Sequence, residues 1–93
     1  MVAQANSKIP EIFSSKGRVK VLSYLLKVGE ANITNIAKAT RLHHKVVEKH
    51  LKKLIELGLV EEQRIGRIRL FRIIWLSPKV MILRELLESL EEL

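Results

Sequence analysis

The side chains best able to do chemistry in this 93-residue chain are cationic and gather in two places. The first runs His43, His44 and Lys45, then Lys49, Lys52 and Lys53, with Glu48 as the carboxylate among them. The second holds Arg64, Arg67, Arg69 and Arg72 around Gly66. Fixed cations at this density neutralise phosphates, and polar groups between them can meet base edges. With no acidic residue between them, the four arginines are expected to lack local partners and to contact phosphate. Glu48 has two readings: an acceptor for cytosine N4, or a surface ion pair with Lys45, Lys49 or Lys52. His43 and His44 read as DNA-facing or capping groups whose protonation below about pH 6.5 would tighten phosphate binding. His50 reads as a polar or packing residue. His43 and His50 stand about 10.5 Å apart along a helix, too far to share one ion. No carboxylate cluster accompanies them, so no metal site and no cofactor are expected. Catalysis finds no support: Asp and Cys are absent, no glycine-rich phosphate loop is present, and Ser14, Ser15, Ser23 and Ser77 have no histidine beside them.

The charge distribution points the same way. Residues 79–93 hold two cations against four glutamates, so the +7 of the whole chain leaves +9 on residues 1–78. A basic body with an acidic tail suits a polyanionic partner for the body and another task for the tail. A surface rich in ion pairs of the kind found at high temperature would explain many charges of both signs. It would not explain their asymmetry. With 47% hydrophobic residues the chain has enough apolar surface to fold. Its length allows one small domain, which a partner subunit would help to stabilise. No apolar run approaches the ~20 residues of a membrane span. Residues 1–10 lack the apolar stretch of a signal peptide. With no cysteine, the expected setting is cytoplasmic, with the nucleoid.

Elements follow from periodicity and punctuation. Residues 1–7 are expected to fray. Ile9, Ile12 and Phe13 suggest a short docking turn, giving an N-terminal arm over 1–13. Ser14 or Ser15 caps a helix with Val19, Val21, Leu22, Leu25 and Leu26 on its apolar side, ended by Gly29. Asn32 caps a short helix to about Ala39 with Ile33, Ile36 and Ala37 inward. After a turn at Thr40–Leu42, a helix from His43 to Leu57 carries Val46, Val47, Leu51, Leu54 and Ile55 as its buried stripe. Leu59–Gln63 and Arg67–Ile74 then read as two strands with a hairpin tip at Ile65-Gly66-Arg67. Ile68 and Leu70 share one face of the second strand while Phe71 and Ile73 occupy the other. Either both faces are covered or a bulge shifts the phase. Ser77-Pro78 starts a last helix over 77–93. Its Leu83, Leu86, Leu90 and Leu93 repeat at 3-4-3 spacing, which suits a dimer seam better than internal packing alone. Residues 14–76 are thus a mostly α domain with a small β-hairpin.

A short helix, a turn and a longer basic helix form a helix-turn-helix, and the hairpin is its wing. From Ser15 to Ile73 the sequence resembles winged-helix regulators of the ArsR type and their archaeal relatives. The resemblance is carried by Gly17-Arg18-Val19-Lys20-Val21-Leu22, Asn32-Ile33-Thr34-Asn35-Ile36-Ala37, Val46-Val47-Glu48-Lys49-His50-Leu51-Lys52-Lys53-Leu54, Leu57-Gly58-Leu59-Val60 and Gly66-Arg67-Ile68-Arg69-Leu70-Phe71-Arg72-Ile73. It implies a winged helix-turn-helix with a C-terminal dimerisation helix, and a homodimer joined by its terminal helices. It also implies that His44, Lys45, Val46, Glu48 and Lys49 face DNA, with Arg67 at the wing. The chain departs from the family where His43 replaces the frequent serine cap. It also has neither cysteine pairs nor Asp and His on the last helix to sense a metal.

The expected function is transcriptional regulation through double-stranded DNA, read by His43, His44, Lys45, Val46, Glu48, Lys49, Lys52, Lys53, Arg64, Arg67 and Arg69. Self-association is assigned to Ile12, Phe13, Leu83, Leu86, Leu90 and Leu93. No effector site is identifiable. Two alternatives stand: an architectural chromatin protein, because Arg, Asn and Gln are missing from residues 43–48, and a winged helix that binds other proteins.

Overall fold

The computed structural model describes Ile12 and residues 15–91. Phe13, Ser14 and Leu93 lie outside them, as do residues 1–7, expected to fray, and most of the expected docking turn. The described elements run α1 (Lys16–Val28), β1 (Glu30–Asn32), α2 (Ile33–Thr40), α3 (His44–Glu56), β2 (Val60–Ile65), β3 (Ile68–Ile73) and α4 (Pro78–Glu91).

Local chemistry sets each boundary. The Ser15 hydroxyl accepts from Arg18 N–H and opens α1. The Asn32 side chain accepts from Asn35 N–H at 2.8 Å and opens α2. Arg41 closes α2 in the left-handed region, at φ 59°. His43 sits at the start of α3 without a side-chain cap bond, so this helix begins without the help the other two receive. Its end is firmer. Leu59 N–H donates to Leu54 C=O and Gly58 N–H to Ile55 C=O, both at 3.0 Å, with Gly58 at φ +78°. This is the doubly bonded left-handed cap that glycine permits, with Leu54 and Leu59 both buried beside it. The Ser77 carbonyl accepts from Val80 and Met81, with Pro78 as the first residue of α4.

The sheet has three antiparallel strands in the order β1-β3-β2. The sequence reading lacked β1, which pairs Ala31 with Phe71. The β2–β3 register is continuous from Val60↔Ile73 to Ile65↔Ile68, which leaves Gly66 and Arg67 as the tip. Neither a bulge nor double coverage accounts for the apolar pattern of β3. Phe71 and Ile73 are buried on the inner face, while Ile68 is exposed on the outer one.

One core joins these elements: Val21, Leu22 and Leu25 of α1, Ile36 of α2, Val47, Leu51 and Leu54 of α3, Val60 and Phe71 of the sheet, and Val80 of α4. Val46 and Ile55, expected in the buried stripe of α3, are exposed. At 3.6 residues per turn the inward row is Val47, His50, Leu51 and Leu54, and its neighbours turn aside. Gly17 lets α1 approach α3 closely. A Cβ there would stand 2.8 Å from His50 Nε2. Ile12 and Leu83, assigned above to self-association, are buried in the core of their own chain and present little surface to a partner.

Candidate nucleic-acid interface

The buried row of α3 turns His44, Lys45, Val46, Glu48, Lys49 and Lys52 outward, all exposed. Across from them rises the wing. Strand alternation places Val60, Glu62 and Arg64 of β2 on the same side as Arg69, Phe71 and Ile73 of β3. The first residues of each strand pair anchor the core, and the distal ones face α3. Between α3 and the wing lies an open cleft of about 510 Å³, lined by Lys45, Glu48, Lys49, Lys52, Glu62 and Arg69 among others.

The wing arginines are not alike, and most have the local partners the sequence reading denied them. Arg69 Nε donates to Glu62 at 2.8 Å and its Nη2 donates to the other oxygen at 3.4 Å. Arg69 Nη1 reaches Glu48 at 3.5 Å. Its guanidinium also lies 5.2 Å from the centre of the Phe71 ring. Arg64 stands 3.7 Å from Glu62. Arg72, on the outer face, donates to Gln63 and pairs with Glu30 at 3.6 Å and Glu61 at 4.0 Å. These acids come from β1, β2 and α3 rather than from the stretch between the arginines, so strand register supplies what local sequence lacks. The hydrogen bond from Arg69 holds the Glu62 carboxyl below its ordinary value. Glu48 takes neither an expected lysine partner nor a free position; its partner is Arg69.

Lys45, Lys49, Lys52 and Arg67 make no ion pair and no side-chain hydrogen bond among the described residues. Lys53 pairs with Glu56 at 3.7 Å. His43 and His44 are exposed. His50 is buried between α1 and α3, and its Nδ1 has no hydrogen-bond partner among the described residues. Burial, then the charges of Arg18 and Lys49, pushes its pKa down from 6.5. A second groove, of about 230 Å³, brings Arg67 and Ile68 of the wing beside Asn32, Ile33 and Thr34 at the start of α2. Thr34 does not stand out in the sequence as a groove residue because Asn-Ile-Thr-Asn signals a helix start before anything else. Among the described residues no group of His, Cys, Asp or Glu could hold a metal ion. No helix among them is long and apolar enough to cross a membrane.

Two cationic surfaces flanking a cleft can embrace a polyanionic ridge, with the exposed helix as the part that inserts. Known proteins show the same architecture. The AntR antimony-specific transcriptional repressor shares 23% identity over 99% of this chain and 83% of its own, at a TM-score of 0.78. The homodimeric winged helix-turn-helix DNA-binding domain of Mb0332 from Mycobacterium bovis shares 24% over 98% and 82%, at 0.75. NolR from Sinorhizobium fredii shares 22% over 95% and 85%, at 0.79. Likeness at this identity speaks for the fold. No curated protein sequence matches the chain. The sequence profile described as "Bacterial regulatory protein, arsR family" matches residues 15–62, from the cap of α1 into β2. With just over half its length inside that profile, this winged-helix chain belongs to the arsR family of bacterial regulatory proteins.

Proposed function

We propose that the chain is a dimeric transcriptional regulator that binds double-stranded DNA, with α3 in the major groove and the wing on the adjacent backbone or minor groove. The observation that carries this reading is the set of cations without internal partners among the described residues. Lys45, Lys49 and Lys52 lie along the exposed side of α3, and Arg67 stands at the wing tip. Charges left unpaired by the fold are available for phosphates, and their neutralisation supplies salt-dependent affinity. His44, Val46 and the first turn of α3 supply base contacts. The second copy covers the outer side of α4, where Ile82, Leu86 and Leu90 are exposed. A dimer of this kind presents two recognition helices to half-sites ~34 Å apart. Acting on promoters, it works at the nucleoid, in the cytoplasm.

The architectural reading has one observation in its favour. Residues 43–48 offer no Arg, Asn or Gln to read bases. Selection from a random duplex library at about 150 mM salt separates the two. A regulator enriches a two-fold symmetric motif with half-sites about one helical turn apart. Retained DNA without any motif establishes the architectural role and ends the regulator reading. Retention of no duplex, even at low salt, leaves the protein-binding winged helix.

A further inference from the structure

We infer that Arg69 is a positioning residue rather than a phosphate contact: it ties the wing to α3 and holds the Glu48 carboxylate against the wing. This role rests on the DNA reading above. All three nitrogens of the guanidinium are engaged, two on Glu62 and one on Glu48. The Phe71 ring packs near the same group. Three of the five guanidinium N–H groups are thus directed at carboxylates, and a phosphate approaching the remaining two would meet the negative charge of Glu48 and Glu62 beside them. Its two partners come from different elements, Glu62 from β2 and Glu48 from α3, so the tie spans the cleft between wing and helix.

Glu48 gives the tie its consequence. A carboxylate among Lys45, Lys49 and Lys52 repels the phosphates those lysines attract. Paired with Arg69 its charge is offset, and it is drawn sideways from the position in which it would accept from a cytosine. All three members of the bridge are partly exposed, so the pairing does little for fold stability. Its effect falls on the geometry and local charge of the DNA-binding surface.

A contact and a tie answer differently to a double-mutant cycle. The probe is the duplex enriched from the library, or a random duplex of about 30 base pairs if no motif emerges. The tie predicts that Arg69→Gln weakens binding about tenfold, because Glu48 is set free among the lysines. Glu48→Gln in the same chain then restores affinity to within about threefold of wild type, with the salt slope unchanged. A phosphate contact predicts that Glu48→Gln changes affinity by the same factor with or without Arg69→Gln and that Arg69→Gln lowers the slope of log K against log salt by about 0.9; that result overturns the role. Arg69→Lys guards against a folding defect in the glutamine variant. Lysine keeps the charge a phosphate needs but lacks the fork that holds Glu62 and Glu48 together, so the tie predicts a clear loss, smaller than that of Arg69→Gln. Near-normal binding by the lysine variant overturns it. If the wild-type chain binds no duplex, the DNA reading itself falls and this role with it. If it binds and the two substitutions are additive, only the role of Arg69 falls.

Discussion

As pH falls through 6.5, an unfolded chain takes up a proton on His50 that the folded chain resists. The imidazole is buried between α1 and α3, close to Gly17, and burial together with Arg18 and Lys49 disfavours its charged form. The unfolded state therefore binds the extra proton first. The stabilisation is complete above about pH 6.5 and is lost as pH falls toward the folded-state value. Thermal unfolding at a series of pH values between about 7.5 and 5 should show a midpoint that drops on acidification. His50→Gln, which cannot titrate, should flatten that drop even if it lowers the midpoint overall. An unchanged pH slope in the variant would place the acid sensitivity elsewhere. The packing role of His50 was legible in the sequence because its neighbours Leu51, Leu54 and Val47 define an inward row at helical spacing. The partner of Glu48 was not legible. Arg69 lies 21 residues away, and only the strand register brings it across the cleft.

At the scale of elements, the three helices before the wing and the hairpin itself follow from caps and periodicity. Ser15, Asn32 and Gly58 bound their helices through bonds that local sequence dictates. Strand β1 escaped because three residues after a glycine, the last of them the cap of the next helix, are too short to show alternation. Val46 and Ile55 misled for a different reason. Apolar identity suggested burial, while the geometry of a 13-residue helix leaves them on its flanks. Helix α3 therefore presents an outward side on which cations are interleaved with Glu48 and the apolar Val46 and Ile55. Lys49→Ala tests this side as a whole. It should weaken binding to all sequences about equally and lower the salt slope by about 0.9, since one phosphate neutralisation is lost. Its thermal midpoint should barely move, because the side chain is exposed and has no ion pair or hydrogen bond among the described residues. A loss confined to one sequence, with the slope intact, would make Lys49 a base reader instead.

At the scale of the whole molecule, the division of α4 between two tasks decides whether one copy suffices. The sequence spacing put Leu83, Leu86 and Leu90 on one seam, yet the structure separates them. Leu83 is 6% exposed and belongs to the core with Val80, whereas Leu86 is 43% and Ile82 66% exposed. Met81 and Leu76 are exposed close by. Neighbouring large apolar groups left to water on a chain of this size call for a covering surface. In the proposed dimer a second copy supplies one by symmetry, each α4 offering the same stripe to the other. The two leucines should then fail in different ways. Leu83→Glu buries an unpaired carboxylate and should unfold the chain or lower its midpoint severely, an effect of about 3 kcal/mol or more. Leu86→Glu should leave the helical spectrum and thermal cooperativity intact. In sedimentation equilibrium it should shift the mass from twice 10.7 kDa toward a single chain. DNA binding should shift with it, from concerted occupation of two half-sites to weak binding of one, because each protomer keeps its own α3 and wing. A Leu86→Glu protein that remains a dimer would move the interface off this side of α4. A wild-type chain that sediments as a monomer at micromolar concentration would end the dimeric reading altogether.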